Sequence, residues 1–362
     1  MMIKLKKNLK NTGRRQLLAA CAVLSAVLLP TISWAQAVSP SSFVEVTVNS
    51  AADGPVQPDE VITLREAIEI TNGTLPVAAL SAAEQQLVNS VNAASTIVFE
   101  LPEEKTTIEL KSVLPAIAQP NLTIDGTTQP DYDPTRSATA EIEVPIPVVA
   151  IRPESGVEVF RGLTISASDV TVRGLSLYGF NAPSQITNST PPADIFISHR
   201  PTPLRRETAL PPVGRNTADD GPPTGVVIEQ NWLGITPKGS IPEVPSGFGV
   251  SVFDSVGTTI QQNRIEYHNG SAVISGRQAD NLKVLNNIIV GNGLAGMPDA
   301  IRLDGSVQDG LISSNLLCGN DGSSVFLFKP QGSVTIADND IRFNGQRLRR
   351  AAIYVVAITH HI

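Results

Sequence analysis

The sequence predicts an all-β fold, a single-stranded parallel β-helix in which one chain winds into stacked coils. A pattern of one aliphatic residue, two variable residues, Asn, any residue and a second aliphatic residue occurs five times between residues 226 and 345. The copies read IEQNWL, IQQNRI, VLNNII, ISSNLL and IADNDI, and their asparagines are Asn231, Asn263, Asn287, Asn315 and Asn339. Successive asparagines lie 32, 24, 28 and 24 residues apart. Self-similarity at a period of this size is typical of a solenoid.

Two further observations indicate which kind of solenoid to expect. Apolar residues separated by one residue precede the asparagines, as in Ile301 with Leu303 and Val325 with Leu327. Alternation at period two predicts a strand with one buried face. Gly and Asn cluster between the strands, and we expect left-handed backbone at these corners, including Asn292 and Asn320. Short strands joined by tight corners stack at about 4.8 Å per coil, which is the geometry of a parallel β-helix.

The recurring asparagine predicts a structural ladder. A side-chain amide at a corner can donate to the coil on one side and accept from the coil on the other, as in stacked cross-β structures. It also satisfies corner backbone groups that are otherwise buried without a partner. We therefore assign Asn231, Asn263, Asn287, Asn315 and Asn339 a structural role and no ligand role.

Residues 1–37 predict an export signal. A basic segment precedes an apolar run of 13 residues, Leu17 to Leu29, and Ala35-Gln36-Ala37 forms a small-x-small cleavage site. The run is too short to span a bilayer comfortably, so we expect cleavage and no transmembrane segment afterwards. The pair Arg14-Arg15 leaves both the general and the twin-arginine export routes open. The predicted location is extracellular, at the cell surface or periplasmic.

The charge balance limits the partners. The leader carries six of the 27 basic residues and none of the 34 acidic ones, which leaves a net charge of −13. Nucleic-acid partners require basic patches, so we exclude them. Charged residues are only 17% and aromatics 4% of the chain, and this composition suits the narrow interior of a solenoid.

Residues 38–95 predict an N-terminal strand and a short helical cap. Val44, Val46 and Val48 alternate as in a strand, and an amphipathic helix follows around Leu64 to Ile68. Ser81 and Glu84 form a capping-box pattern that predicts a second helix, with Leu87, Val88 and Val91 on one face. An open solenoid end exposes strand edges, so these helices are expected to cover the first coil of a β-helix over 96–362.

The cap and first coil carry a resemblance. Thr63 to Ile68 (TLREAI), Ile97 to Phe99, Leu114 to Ile117 (LPAI) and Asn121 to Gly126 (NLTIDG) resemble the corresponding segments of bacterial secreted right-handed parallel β-helix proteins of the pectin-lyase-like fold. Many of those proteins have Cys-Ser before Leu-Arg-Glu-Ala, where this chain has Ile62-Thr63. The resemblance implies the fold and its handedness. It does not select a function, because the fold serves lyases, hydrolases, adhesins and tail-spike proteins.

A proline-rich insertion at 181–224 interrupts the predicted coils. So much proline does not fit a central ladder, so we expect a projecting loop, with Ile195 to Ile197 as a short strand against the flank of the solenoid. Asp219 and Asp220 in this loop resemble the paired aspartates of the hydrolases of this fold, but we favour a solvated loop as the explanation. The resemblance also implies calcium if the chain is a lyase. Apart from that case, no cofactor or metal is expected.

The strands before the asparagines supply the other site candidates. Arg302 and Asp304 should point outward, with Asp299 just ahead, either as a surface ion pair or as a site for a uronate or calcium. The repeat spacing aligns Arg302 with Phe326 and Tyr354, and Asp304 with Phe328. Aromatics are scarce here, so their outward alignment predicts either a covered surface or a platform on which sugar rings stack. Arg302 and Asp304 would then contact hydroxyl or carboxylate groups.

The sequence thus predicts an exported surface or extracellular module that contacts polysaccharide or another cell-surface macromolecule. The alternative is a polysaccharide lyase or glycoside hydrolase of the pectin-lyase-like fold, with Asp219, Asp220, Asp299, Arg302 and Asp304 as its candidate catalytic residues. An uncapped last coil, around Ala352 to Ala357, also leaves room for oligomer formation.

Overall fold

The computed structural model describes residues 43–356, except residues 138, 140, 182–189 and 200–220. Within this part of the chain there are 25 β-strands and two α-helices. The helices are α1 (Leu64–Thr71) and α2 (Ala82–Gln85). The strands are β1 (Phe43–Val48), β2 (Val88–Val91), β3 (Ser95–Phe99), β4 (Thr107–Leu110), β5 (Leu122–Asp125), β6 (Val149–Pro153), β7 (Arg161–Ile165), β8 (Thr171–Arg173), β9 (Leu175–Leu177), β10 (Ala193–Ile197), β11 (Val227–Glu229), β12 (Trp232–Leu233), β13 (Phe248–Val256), β14 (Thr259–Gln261), β15 (Arg264–Glu266), β16 (Val273–Asp280), β17 (Lys283–Leu285), β18 (Ile288–Val290), β19 (Ile301–Ser306), β20 (Gly310–Ser313), β21 (Leu316–Cys318), β22 (Val325–Gln331), β23 (Val334–Ala337), β24 (Asp340–Arg342) and β25 (Ile353–Val356).

The described strands form three sheets that run the length of a solenoid. The first sheet has the order β2-β1-β3-β5-β8-β11-β14-β17-β20-β23, the second β24-β21-β18-β15-β12-β9-β6-β4 and the third β25-β22-β19-β16-β13-β10-β7. Each full coil adds one strand to each sheet, and neighbouring coils pair in parallel, with Ile228 beside Ile260 and Val284 beside Ile312. The predicted parallel β-helix is therefore confirmed.

The interior is apolar because alternate residues of each strand point inward. In the third sheet Leu163, Val250 and Ile301 are fully buried core residues, and they share the core with inward residues from the other two sheets. The residues between them point outward and form rows along the outside of the solenoid, since successive side chains of a strand lie on opposite faces.

A short helix, α1, packs against the first strands of the described chain. Thr63 and Glu66 form a capping box at the start of α1: the Glu66 N–H donates to Thr63 Oγ1, and Glu66 Oε2 accepts from the Thr63 N–H at 2.9 Å. Arg65 joins the helix to the first coil, because Nε donates to Asp53 Oδ1 at 2.7 Å and Nη1 to the Val113 carbonyl at 3.0 Å. The predicted second helix is shorter than expected: α2 ends at Gln85, and Val88 to Val91 form β2, which pairs antiparallel with β1.

A ladder of side-chain amides stabilises the corner between the first and second sheets. Nδ2 of Asn231, Asn263, Asn287 and Asn315 donates to Oδ1 of the next asparagine, at 3.2, 3.0, 2.9 and 2.9 Å. The ladder ends at the coil in which Leu175 replaces Asn. There the backbone N–H of Leu175 donates to Asn231 Oδ1 at 3.1 Å. The residue before each asparagine has the left-handed backbone that the corner requires, for example Gln262 with φ 51°.

A second ladder lies at the corner between the second and third sheets. Nδ2 of Asn292 donates to Asn320 Oδ1 at 3.0 Å, and Nδ2 of Asn320 to Asn344 Oδ1 at 2.7 Å. The expectation of a left-handed backbone at Asn292 and Asn320 is wrong. The preceding glycines, Gly291 and Gly319, take the positive φ instead, and the two asparagines are buried as hydrogen-bonding side chains.

The predicted insertion at 181–224 also needs a correction. Ile195 to Ile197 do not lie against the flank, because β10 is a central strand of the third sheet, paired in parallel with β7 and β13. Its side chains at 195 and 197 are fully buried in the core. The proline content favoured a continuous loop, whereas a five-residue strand without proline is long enough to complete one coil.

Candidate ligand-binding face

One outward row of the third sheet brings the predicted site residues together. Arg302 pairs with Phe326, which pairs with Tyr354, and Asp304 pairs with Phe328 in the same register. The row continues through Ile274, Ser251, Phe196 and Thr164 towards the N-terminal end. Because parallel strands in register place equivalent side chains about 4.8 Å apart, these side chains form a continuous strip along the solenoid.

Three aromatic rings stack at the C-terminal end of this row. The rings of Phe326 and Tyr354 lie 5.2 Å apart at 9°, and those of Phe326 and Phe328 lie 5.8 Å apart at 48°. Tyr354 is 46% exposed, whereas Phe326 is only 6% exposed because its neighbours cover both sides. Phe328 is half-buried. We call Phe326, Phe328 and Tyr354 the aromatic platform. Phe326 supports the platform and offers little ring surface of its own, contrary to the sequence-based expectation.

Arg302 is held against the platform. Its guanidinium carbon lies 4.6 Å from the centre of the Phe326 ring and 5.2 Å from that of Phe328, so cation–π attraction applies to both rings. Nε and Nη2 donate to Asp304 Oδ2, each at 3.3 Å. Its side chain is only 14% exposed, so the predicted exposed surface pair is partly buried.

Asp299 anchors this arrangement from the corner. The residue is fully buried, and its Oδ1 accepts from the Ser323 N–H at 2.8 Å and from Arg350 Nη1 at 3.2 Å. Arg302 Nη1 lies 3.8 Å from Asp299 Oδ2. The Asp299 carboxylate is therefore shared between two arginines that come from different coils.

Asp304 is a perturbed acid at this face. Burial raises the pKa of Asp304 above its ordinary value, the nearby Asp299 raises it further, and the charge and hydrogen bonds of Arg302 oppose both effects. Asp304 Oδ1 is buried and accepts no hydrogen bond from the described residues. Lys329 adds an exposed cation at the platform, with Nζ 5.4 Å from the centre of the Phe328 ring.

Among the described residues we searched for a metal site and for a membrane-spanning helix. Two of the predicted candidates, Asp219 and Asp220, lie outside the described residues. In the part of the chain that the structure describes, no group of three or more His, Cys, Asp or Glu side chains is placed to hold a metal ion. No calcium site is therefore assigned to these residues. Nor does any helix among them have the length and apolar character needed to cross a membrane.

Sequence reasoning missed one pair of buried, ionisable side chains. Asp194 of β10 and His268 of the corner before β16 are both fully buried, and His268 Nε2 lies 2.8 Å from Asp194 Oδ2. The spacing contained a signal, because His268 precedes Asn292 by the same 24 residues that separate Asn263 from Asn287. His268 is thus the next member of the second ladder.

Comparison with known proteins agrees with this geometry at the level of the fold. The model of the family described as "Right handed beta helix region" matches residues 216–360, which is less than half of the chain. The fold is a right-handed parallel β-helix. No curated protein sequence matches the chain.

Three solved structures share the architecture distantly. The A-modules of the mannuronan C-5 epimerases AlgE6 and AlgE4 of Azotobacter vinelandii are 14% and 13% identical, with TM-scores of 0.37 and 0.36. The matches cover 80% of this chain and 75% of the first module, and 83% of this chain and 79% of the second. The Streptococcus pneumoniae surface protein and adhesin PfbA is 14% identical over 73% of this chain and 89% of its own, with a TM-score of 0.34. Similarity at this level carries no inference about activity.

Proposed function

We propose that this chain is an exported module that binds polysaccharide through the outer face of its third sheet. The observation that carries the proposal is the aromatic platform, in which the exposed ring of Tyr354 is fixed by stacking on Phe326 at 5.2 Å. A fixed ring loses little conformational freedom when a ligand binds to it, so its apolar face contributes most of its contact energy to binding.

The groups around the platform suit a ligand with both apolar and polar faces. A sugar ring presents C–H groups on one face and hydroxyls at its edge. The face of Tyr354 can contact the former, and its hydroxyl can exchange hydrogen bonds with the latter. Lys329 is exposed beside Phe328 and can meet a carboxylate on an acidic sugar. Arg302 and Asp304 are already bonded to each other, so we assign them the role of positioning the rings.

The alternative, a lyase or hydrolase, receives less support from the described residues. Such enzymes use a pair of groups that are free to exchange protons on either side of a scissile bond. Asp299 is fully buried and bonded to Arg350 and the Ser323 N–H, and the unpaired oxygen of Asp304 is buried. Asp299 is therefore not presented to a substrate, and the Asp304 side chain, which is 29% exposed, is bonded to Arg302.

Binding measurements on two variants test the proposal. We expect the purified protein to bind at least one polysaccharide in a panel of neutral and uronate polymers, with and without calcium. Tyr354→Ala should weaken that binding about tenfold or more, as expected for the loss of an aromatic contact of about 1.4 kcal/mol. Phe328→Ala should weaken it to a smaller extent, because this ring is half-buried.

Phe343→Ala is the matched control. Phe343 is 71% exposed but lies in the turn after β24, outside the platform, so its loss should leave binding unchanged. The proposal fails if no polymer binds, or if Phe343→Ala reduces binding as much as Tyr354→Ala does.

A further inference from the structure

The buried pair Asp194–His268 connects two coils that are not adjacent. Asp194 belongs to β10 and His268 to the corner before β16, and the coil that contains β13 lies between them in the third sheet. Both side chains are fully buried, and Nε2 and Oδ2 are 2.8 Å apart. An ionisable pair in this position is costly to bury unless its hydrogen bonds are complete.

The intervening coil makes room for the pair with a glycine. A Cβ on Gly234 would lie 2.5 Å from His268 Cε1, and Gly234 has φ +80°. A side chain at position 234 would therefore collide with the imidazole, so glycine is required there for His268 to reach Asp194.

The second ladder fixes the protonation of the imidazole. Asn292 Nδ2 donates to the Ile265 and Val290 carbonyls and to Asn320 Oδ1, so its Oδ1 faces His268. Asn292 Oδ1 accepts from the His268 N–H at 3.1 Å and lies 2.8 Å from His268 Nδ1. Because an amide oxygen only accepts, Nδ1 must carry a hydrogen.

One proton must then lie between Nε2 and Asp194. The 2.8 Å contact is a hydrogen bond only if that proton is present, either on the ring as imidazolium or on the carboxyl as a neutral acid. Both arrangements have zero net charge. Without the proton, two lone pairs face each other and one negative charge is buried, whereas a further proton buries one positive charge.

We propose that Asp194 and His268 form a proton-dependent clamp that holds β10 in the solenoid and releases it when the shared proton is lost. The other groups that face the pair are the Ser246 hydroxyl, the Gly234 N–H and Asn292, and no further charged side chain of the described residues bonds to it. Asp194 Oδ1 is buried and has no hydrogen-bond partner among the described residues, so the contact with His268 is the main compensation for burying this carboxyl. Burial raises the pKa of Asp194, against the opposing effects of His268, Ser246 and Gly234, so the carboxyl retains a proton more readily than in water.

The clamp has a defined pH signature. Unfolded Asp and His have pKa values of about 3.9 and about 6.5, so between these values the unfolded chain carries the same two protons on this pair as the folded one. Above about pH 6.5 the unfolded histidine loses a proton that the folded pair keeps, so stability falls as pH rises. Below about pH 4 the unfolded pair gains a proton, so stability falls there too.

Asp194→Asn should reverse the neutral-pH trend. The side-chain amide that this substitution introduces can donate to Nε2 of a neutral His268, so the folded variant no longer binds the shared proton. Unfolding should then become easier below about pH 6.5, by up to tenfold per pH unit, whereas the parent loses stability by the same factor above it. Asp340→Asn, which removes one exposed carboxylate, is the control and should follow the parent.

Three measurements test the clamp. Denaturant melts from pH 4 to 9 give the trends, and the proposal fails if the parent and Asp194→Asn change with pH in parallel. If the variant does not fold, NMR of the parent with labelled histidine decides, since the clamp requires a hydrogen on Nδ1 of His268 and one shared proton between Nε2 and Asp194 while β10 is in place. A folded protein at neutral pH in which no proton lies between Nε2 of His268 and Asp194 overturns the clamp. Hydrogen-exchange protection should fall first in β10 at the high pH where the shared proton is lost, and equal loss throughout the solenoid would contradict a local clamp.

Discussion

Two arginines are held in the same way on different sheets of this solenoid. Arg264 lies 4.6 Å from the centre of the Trp232 ring and donates to Glu266, two residues later, at 2.8 and 3.1 Å. Arg302 lies 4.6 Å from the centre of the Phe326 ring and donates to Asp304, again two residues later, at 3.3 Å. Each aromatic ring comes from the neighbouring strand, so one local arrangement occurs on the second and on the third sheet.

What differs is the surface above them. On the second sheet the segment that precedes β6 folds back, and Val144 joins Trp232, Ile235 and Ile288 in a second hydrophobic cluster. The Ile146 N–H donates to the Arg136 carbonyl at 2.9 Å and holds this segment in place. Trp232 is consequently 2% exposed. The corresponding ring on the third sheet, Phe326, is 6% exposed because the Tyr354 ring stacks on it, and Tyr354 itself is 46% exposed. The same motif is therefore buried in both places, beneath a folded-back segment on the second sheet and beneath a single exposed ring on the third.

The largest loss of stability should come from the arginine–aromatic pair on the second sheet. Trp232→Ala removes a fully buried ring beneath the folded-back segment, and we expect a loss of about 3–5 kcal/mol in the free energy of unfolding. Denaturant melts measure it, and Trp232→Phe is the control, because it keeps an aromatic ring under Arg264 and should cost clearly less. A small effect of Trp232→Ala would show that the segment over the second sheet is not packed against it.

The repeat and its register could be predicted from sequence because they are periodic. Ile228, Ile260 and Val284 recur at the ladder spacing, and this spacing alone also aligns Arg302 with Phe326. The cover of the second sheet could not be predicted in this way. It depends on Ile142, Val144 and Ile146, which lie in a segment that does not repeat and whose position is set by tertiary packing.

The candidate site was predicted only in part, for related reasons. Spacing placed Phe326, Phe328 and Tyr354 in one outward group, but it gave no information on how much of each ring is covered. Asp194 lies in β10, a strand that the surrounding prolines made difficult to predict. Its partner His268 occupies a position of the second ladder where His replaces Asn. A search for recurring asparagines alone therefore finds neither residue.

An intermediate loss of stability is expected from the arginine–aromatic pair on the third sheet. Phe326 is 6% exposed and lies between Arg302 and Tyr354. Phe326→Ala should lower the free energy of unfolding by about 1.5–3 kcal/mol, which is the transfer free energy of one buried Phe side chain without the cavity cost that applies to Trp232. Phe326→Leu restores part of the apolar contact and should recover part of the stability. If Phe326→Ala were neutral in melts and also left glycan binding unchanged, the rings would not act as one platform.

The smallest effect should come from a third arginine with the same local spacing and no aromatic partner among the described residues. Arg342 bonds to Asp340, two residues before it, on the outermost described strand of the second sheet, and their side chains are 50% and 44% exposed. An exposed ion pair gains little Coulomb energy in water and is screened by salt, so Arg342→Ala should leave the denaturation midpoint unchanged within error. Arg264→Ala is the matched variant, since its guanidinium covers Trp232 and its side chain is 16% exposed, and it should lower the midpoint clearly. Both variants should be measured at low and high salt. If Arg342→Ala and Arg264→Ala lower the midpoint equally, the arginine–carboxylate pair determines the loss of stability. The aromatic contact and the segment that covers Trp232 would then contribute nothing.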